Sequence, residues 1–206
     1  GALKAIGIDS SRLDVVLMQL VNLMKDGEPV RMSKRTGNAV TLVDLLDEVP
    51  IDAARFFFNM REPGSTIDFD LGLAVKEDSQ NPVYYCQYAN ARICSILRKM
   101  KEEGIEPRDC TEEELMLLNA PEERELIRHL SALTDEIITA AKDYDPARIT
   151  RYAVTLATLF HKFYNACRVG VDDEKLRAAR LYLCCRVKDV MGIILTEFKI
   201  TVPESM

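Results

Sequence analysis

The chain has 206 residues, of which 48% are hydrophobic, and a formal net charge of −6 at pH 7. This composition is ample for a packed core and excludes an intrinsically disordered chain. The longest apolar stretch, residues 15–24, is too short and too polar to span a bilayer, and it is not part of a signal peptide. We therefore expect a soluble, cytoplasmic protein with no membrane partner.

The six cysteines do not form a metal-binding pattern. None belongs to a Cys-x-x-Cys pair, and neither histidine, His129 or His161, stands at zinc-ligand spacing from a cysteine. Five of the six lie in apolar helical segments, where a reduced thiol behaves as a small hydrophobic side chain. We expect no disulfide and no metal site.

The first predicted element is a β-hairpin. Residues 13–24 read as a buried strand, Asp26-Gly27 as a turn, and residues 30–32 as the returning run. An isolated two-stranded ribbon is marginally stable and needs a partner layer. The hairpin therefore favours a larger domain of which this segment is one part.

A basic loop follows the hairpin within residues 28–46. Arg31, Lys34 and Arg35 supply positive charge, and Gly37 permits backbone geometry that other residues disfavour. Small hydrogen-bonding side chains lie between them, so the loop can hold a polyphosphate. The alternative is a basic turn that only faces solvent.

Two short helices are predicted after this loop. Thr41 and Asp44 resemble a capping box, which starts a helix that stops at Pro50. Asp52 is predicted to cap the next helix, which runs to about Met60.

Beyond residue 80 the pattern is uniformly helical. The predicted helices run from Asn81 to near Gly104, from Pro121 to about Tyr144, from Asp145 to before Gly170, and from about Asp173 to Phe198. Long helices joined by short connections indicate a helical bundle.

The charges of this helical part are segregated along the chain. A net negative charge argues against nucleic-acid binding, because phosphate contacts depend on Lys and Arg. However, residues 81–101 and 146–170 contain Arg and Lys but no acid, whereas residues 102–145 are strongly acidic. A folded chain with this distribution can present one basic face and one acidic face.

The basic loop carries a resemblance to a known family. Residues 31–35, Arg-Met-Ser-Lys-Arg, resemble the KMSKS signature of class I aminoacyl-tRNA synthetases, and residues 36–46 resemble arginyl-tRNA synthetases of bacterial type. Further similar segments occur in that family's order and spacing at residues 52–58, 67–71, 81–94 and 163–169. The resemblance covers essentially the whole chain.

This resemblance implies a mainly α fold in two domains. Residues 1–80 would be the end of a Rossmann-type catalytic domain, a small α/β remnant that carries the KMSKS-like loop. Residues 81–206 would form the all-helical DALR anticodon-binding domain. The partners implied are tRNA(Arg), arginine and ATP with Mg²⁺, and we expect a monomer.

The resemblance also implies a catalytic role for the loop. The parent enzyme would attach arginine to tRNA(Arg) with ATP, and the ATP-binding loop would comprise Arg31, Met32, Ser33, Lys34 and Arg35. Lys34 and Arg31 would be catalytic, because they bring positive charge to the leaving pyrophosphate. Met32 would anchor the loop, and the role of Arg35 stays open.

The second ATP-binding element of class I synthetases, the HIGH motif (His-x-Gly-His), is absent from the sequence. We therefore expect the chain to be the C-terminal part of a longer enzyme. Alone, it is expected neither to aminoacylate tRNA nor to bind the cofactor ATP.

In the helical part, the resemblance implies a set of anticodon-binding residues. They are Tyr85, Tyr88, Arg92, Tyr164, Arg168 and Met206. Unpaired RNA bases stack on aromatic rings and guanidinium planes, which suits these side chains. Without the resemblance each tyrosine would be assigned to the core, and Tyr84, Tyr152 and Tyr182 are expected to lie there.

Two positions depart from the family pattern. Asn90 stands where relatives often have histidine, and Ser205 stands where arginine usually precedes the final methionine.

The sequence also has two alternative interpretations. A helical protein-interaction module whose basic loop is incidental would account for the bundle without any RNA. A self-sufficient phosphotransferase is disfavoured, because neither an acidic metal-binding cluster nor a Walker-type loop accompanies the basic segment.

Overall fold

The computed structural model describes residues 2–30 and 41–206. The predicted ATP-binding loop, residues 31–35, lies outside the described residues. The strands are β1 (Val21–Lys25), β2 (Glu28–Pro29) and β3 (Ile67–Asp70). The helices are α1 (Ala2–Ala5), α2 (Leu42–Glu48), α3 (Ile51–Phe58), α4 (Leu71–Ala74), α5 (Pro82–Glu102), α6 (Glu112–Leu115), α7 (Pro121–Ser131), α8 (Leu133–Asp143), α9 (Ala147–Ala166) and α10 (Glu174–Glu197). The prediction of a mainly α fold with a small α/β part before a bundle is confirmed.

The three strands form one sheet in the order β2-β1-β3. β1 is antiparallel to β2 and parallel to β3, where Leu23 lies opposite Phe69. The predicted turn is confirmed: Asp26 and Gly27 both have positive φ, 55° and 80°, as a tight hairpin turn requires. The prediction of a strand over residues 13–24 is wrong for residues 13–20, which are outside regular structure and mostly exposed. An apolar run forms a strand only where a neighbouring strand pairs with it, and β3 pairs with β1 from Val21 onward.

The two short helices differ in how they begin. The capping box of α2 is confirmed, since Thr41 N donates to Asp44 Oδ2 at 2.7 Å and Asp44 N donates to Thr41 Oγ1 at 3.2 Å. The prediction that Asp52 caps the next helix is wrong. Pro50 holds the N-cap position of α3, and Asp52 lies in the first turn. Its carboxylate instead accepts a hydrogen bond from Thr201 N, at 3.1 Å.

The bundle begins at the predicted cap, where Asn81 Oδ1 accepts from Val83 N at 3.3 Å. The prediction of one helix from Pro121 to Tyr144 is wrong, because the helix is interrupted at Ala132, which separates α7 from α8. There Ala132 N donates to the carbonyl of His129, three residues back, in place of the regular helical bond.

One continuous core joins the α/β part to the bundle. It extends from Leu23 in β1 through Phe69 and Phe160 to Ile200 beyond α10. The predicted division into residues 1–80 and 81–206 stays a prediction. All six cysteines are free thiols, and burial raises the pKa of Cys86 and Cys184. Among the described residues, no helix combines the length and the apolar character needed to cross a bilayer.

Candidate functional site

A cleft of about 570 Å³ opens between α5 and α9, and we call it the tyrosine cleft. Its lining residues are Asp78, Ser79, Tyr84, Tyr85, Tyr88, Arg92, His161, Tyr164 and Asn165. The structure thus brings together four of the six residues predicted to bind an anticodon.

Helical spacing explains why these side chains meet. Tyr85, Tyr88 and Arg92 are three and four residues apart, so they share one face of α5. His161 and Tyr164 share a face of α9 for the same reason. Fully buried side chains on the neighbouring faces, such as Ile93 in α5 and Phe160 in α9, fix the two helices against each other.

Aromatic rings follow one another along the wall of the cleft. The rings of Tyr84 and Tyr88 are nearly parallel, at 5°, with centroids 6.5 Å apart. Tyr88 in turn lies 5.6 Å from His161 at an interplanar angle of 25°, and Tyr85 lies 4.9 Å from His161. Flat, partly exposed rings of this kind offer surfaces on which an aromatic ligand can stack.

Arg92 holds a positive charge beside these rings. Its guanidinium carbon is 4.6 Å from the centre of the Tyr164 ring, and Nη2 donates to the Tyr164 hydroxyl at 2.9 Å. Burial and the charge of Arg92 lower the pKa of His161 below its usual value, so this imidazole is neutral at pH 7. The cleft therefore combines one fixed cation with neutral rings.

A second cleft, of about 530 Å³, continues along the same two helices. It shares Tyr164 and Asn165 with the tyrosine cleft, and its lining includes Lys99 and Arg168. The structure thus places the predicted residue Arg168 next to the tyrosine cleft rather than in it. The two clefts together form one groove.

A buried ion pair fixes the turn that carries Arg168. The Arg168 carbonyl accepts from Arg180 Nη1 at 2.7 Å, and Arg180 Nε donates to Glu123 Oε1 at 2.7 Å. Only 1% of the Glu123 side chain and 13% of the Arg180 side chain are exposed. The turn after α9 is therefore tied to both α7 and α10.

The groove holds most of the free positive charge of the two basic stretches. Arg148 pairs with Glu136 at 2.9 Å, and Arg151 pairs with Asp145 at 3.1 Å. In residues 2–30 and 41–206, by contrast, no salt bridge involves Arg92, Lys99 or Arg168. The groove also contains one carboxylate in each cleft, those of Asp78 and Glu103, so its charge is only moderately positive.

The sixth predicted residue, Met206, lies elsewhere. The chain after α10 runs along α5, where Gln87 Nε2 donates to the Thr201 carbonyl at 3.1 Å and Asn90 Nδ2 donates to the Pro203 carbonyl at 2.8 Å. At about 100° per residue, positions 87 and 90 face away from the tyrosine cleft. Met206 is 52% exposed and lines neither cleft. Asn90, which departs from the family pattern, anchors this tail.

The structure adds two residues that sequence reasoning did not place in the site. Tyr84, which the sequence places in the core, lines the tyrosine cleft. His161, for which the sequence predicts no function, lines the same cleft. Their spacing could have found them, because Tyr84 precedes Tyr88 by one turn and His161 precedes Tyr164 by three residues. The prediction that Tyr152 lies in the core is confirmed by its 4% exposure.

Comparisons with known proteins agree with this geometry. Residues 86–206 match the model of the DALR anticodon binding domain family. The chain is 53% identical to the arginine–tRNA ligase of Caldanaerobacter subterraneus subsp. tengcongensis, over 100% of this chain and 37% of that protein.

Solved structures show the same likeness. A Campylobacter jejuni protein named as a candidate arginyl-tRNA synthetase has a TM-score of 0.83 at 30% identity, over 100% of this chain and 44% of that one. Thermus thermophilus arginyl-tRNA synthetase has a TM-score of 0.72 at 25% identity, over 89% of this chain and 34% of that one. The chain thus spans less than half the length of each of these proteins.

Proposed function

We propose that the chain, which belongs to the DALR anticodon-binding domain family, is part of an arginyl-tRNA synthetase and that the groove between α5 and α9 binds unpaired anticodon bases of tRNA(Arg). One observation carries the proposal. Tyr85, Tyr88 and Arg92 on one helix meet Tyr164 on another in a single open cleft.

The chemistry of the cleft suits unpaired bases. Single-stranded RNA loops are recognised by stacking of bases on aromatic or guanidinium planes and by hydrogen bonds to base edges. Tyr88 is 37% exposed and has a ring available for stacking, while the guanidinium of Arg92 is held in place by Tyr164. Each such stack contributes about 1–3 kcal/mol to binding.

The neighbouring cleft suits the backbone of the same RNA segment. Lys99 and Arg168 lie next to the tyrosine cleft along the groove, where a nucleotide chain would place its phosphates. We expect a salt-dependent component of binding from these two side chains, with a slope of roughly −0.7 per neutralised phosphate of single-stranded RNA.

The activity of the whole protein is part of the proposal. It would join arginine to tRNA(Arg) with ATP and Mg²⁺, in the cytoplasm and as a monomer. The KMSKS-like residues Arg31–Arg35 would contact the ATP phosphates, and Lys34 would stabilise the charge that develops on the leaving pyrophosphate.

A binding experiment tests the proposal. The affinity of the 206-residue chain would be measured for an anticodon stem-loop of tRNA(Arg) and for stem-loops of the same length whose unpaired bases are exchanged. We expect a clear preference for the arginine anticodon loop. Equal affinity for all loops would contradict the proposal and favour a helical protein-interaction module.

A further inference from the structure

His161 has a buried nitrogen without a hydrogen-bond partner. Its Nε2 atom is inaccessible to solvent and contacts neither a donor nor an acceptor among the described residues. Buried polar groups in native proteins are nearly always hydrogen-bonded, and leaving one unpaired costs free energy. His161 lines the tyrosine cleft, so its unpaired nitrogen calls for an explanation.

The other histidine of the chain shows that packing against a tyrosine ring does not by itself leave Nε2 without a hydrogen-bond partner. His129 also lies against a tyrosine, with its ring centroid 4.0 Å from that of Tyr152. Its Nε2 is 3.0 Å from the Tyr152 carbonyl and is therefore satisfied. His129 lines a separate, smaller cleft beside Glu125 and Arg128, whereas His161 lines the tyrosine cleft.

Two tyrosine rings cover the His161 imidazole. Tyr85 lies in closer contact, while Tyr88 lies nearly parallel to it at 5.6 Å and is 37% exposed. Because Tyr88 is partly exposed, its ring can change rotamer within picoseconds to nanoseconds. Movement of this ring would open His161 to the cleft.

We propose that His161 is a specificity-determining residue of the tyrosine cleft, in which the Tyr88 ring swings aside to stack on an unpaired RNA base and Nε2 forms a hydrogen bond with the edge of that base. The proposal rests on the proposed function. A neutral imidazole has one donor nitrogen and one acceptor nitrogen, so either tautomer can match a base edge. This hydrogen bond would give the unpaired nitrogen a partner. It would form only with bases that present the complementary donor or acceptor, so it would distinguish one base from another.

Substitution of His161 by phenylalanine and by glutamine separates this role from simple ring packing. H161F keeps a planar ring of similar size and removes both nitrogens, whereas H161Q restores a hydrogen-bonding group on a flexible side chain. H129F is the matched control, because it removes the nitrogens of a histidine that lies outside the cleft. The 206-residue chain would be assayed with anticodon stem-loops that differ in one unpaired base at a time, and thermal unfolding would be recorded for each variant.

We expect H161F to reduce discrimination at one base position by about 5- to 10-fold, the effect of losing one hydrogen bond, while the melting temperature is unchanged or raised. H161Q should retain part of the discrimination. H129F should lower the melting temperature, since it breaks the bond to the Tyr152 carbonyl, and should leave base preference unchanged.

Three results would overturn the inference. If the unaltered chain discriminates between loops and H161F discriminates equally well, His161 has no part in specificity and the proposed function stands. If H161F weakens binding to all loops by the same factor, the His161 nitrogens support binding without distinguishing between bases. If the unaltered chain shows no base preference, both the inference and the proposed function fail. Should H161F not fold, His161→Leu, which also lacks both nitrogens, is judged by the same criteria.

Discussion

Arg92 and Tyr164 join the two helices of the groove by a cation–π contact of 4.6 Å and a hydrogen bond of 2.9 Å between the same two side chains. Each contact alone would leave the guanidinium free to rotate. Together they fix its plane and its position, because one restrains the distance to the ring and the other the distance to the hydroxyl. The cation is thus preorganised in the tyrosine cleft, and among residues 2–30 and 41–206 no carboxylate forms a salt bridge with it.

The Tyr164 hydroxyl is therefore expected to support RNA binding through Arg92. Tyr164→Phe keeps the ring but removes the acceptor of the Arg92 bond, so the affinity for the anticodon stem-loop should fall by roughly 3- to 10-fold. Fluorescence titration would measure this change. Tyr144→Phe is the control, because that hydroxyl donates to Asp14 at 2.8 Å away from the groove. Equal effects of the two variants would contradict the role assigned to Tyr164.

Tyr88 is expected to act in binding rather than in stability. Tyr88→Ala should weaken RNA binding by about 1–3 kcal/mol, the range for loss of one stacking partner. Since Tyr88 is 37% exposed, its removal should leave little cavity and change the melting temperature only slightly. Tyr152→Ala, at a tyrosine that is 4% exposed, should instead cost about 3 kcal/mol of folding free energy and leave the groove intact. Unchanged RNA affinity and a clear loss of stability in Tyr88→Ala would assign Tyr88 to the core.

The buried pair of Arg180 and Glu123 is expected to stabilise the turn that carries Arg168. Arg180→Met leaves the carboxylate of Glu123 buried without its partner, so it should cost about 3 kcal/mol of unfolding free energy, measured by urea denaturation. Arg186→Met on the same helix is the control. Arg186 pairs with Asp189 on the surface, where both side chains are about half exposed, and the loss should be below about 1 kcal/mol. Similar losses of unfolding free energy in Arg180→Met and Arg186→Met would show that the buried pair stabilises the fold no more than a surface pair does.

Sequence patterns predicted the bundle better than the part before it. The N-termini of α5 and α10 follow from local signals that act within one helical turn. For α5 the signal is an Asn-Pro pair, and for α10 it is an Asp N-cap. The strand error over residues 13–20 arose because strand formation depends on a distant partner, β3, which lies more than 40 residues away. The break at Ala132 has no strong sequence signal, since alanine and its neighbours favour continuous helix.

The candidate site was predicted where one helix supplies several residues and missed where contacts cross between helices. Spacing alone places Tyr85, Tyr88 and Arg92 on one face. It does not reveal that His161 on α9 lies between two of these tyrosines, because that contact depends on how α5 packs against α9. The position of Met206 likewise depends on tail contacts with Gln87 and Asn90, which no local pattern encodes.

The stability of the chain is expected to fall at acid pH, in part because the Glu114 carboxylate becomes protonated. Hydrogen bonds from Arg108, at 2.6 Å, and from Thr111 N lower the pKa of this carboxyl from 4.5 to about 2. A lowered carboxyl pKa stabilises the fold above the unfolded value, and this contribution is lost as pH falls from about 4.5 toward 2. Glu114→Gln should therefore melt at a lower temperature than the unaltered chain at pH 7, and the difference should shrink below pH 4.5. Glu113→Gln, at an exposed position on the same helix, is the control. A melting-temperature difference between Glu114→Gln and the unaltered chain that does not change with pH would contradict the role of the Glu114 carboxylate.

Lys34 is expected to act in the chemical step of the full-length protein. Charge develops on the pyrophosphate as it leaves, so a cation placed there stabilises the transition state more than the ground state. Lys34→Ala should lower the rate of arginyl-adenylate formation by roughly 10²- to 10³-fold, as for loss of one preorganised donor, with little change in the Michaelis constant for arginine. Arginine-dependent pyrophosphate exchange would measure both quantities. Lys25→Ala is the control, because Lys25 precedes the loop and pairs with Glu48 on the surface at 3.0 Å. An unchanged rate with a raised Michaelis constant for ATP would instead assign Lys34 to ground-state binding, since a cation that contacts the phosphates equally before and during the reaction cannot change the height of the barrier.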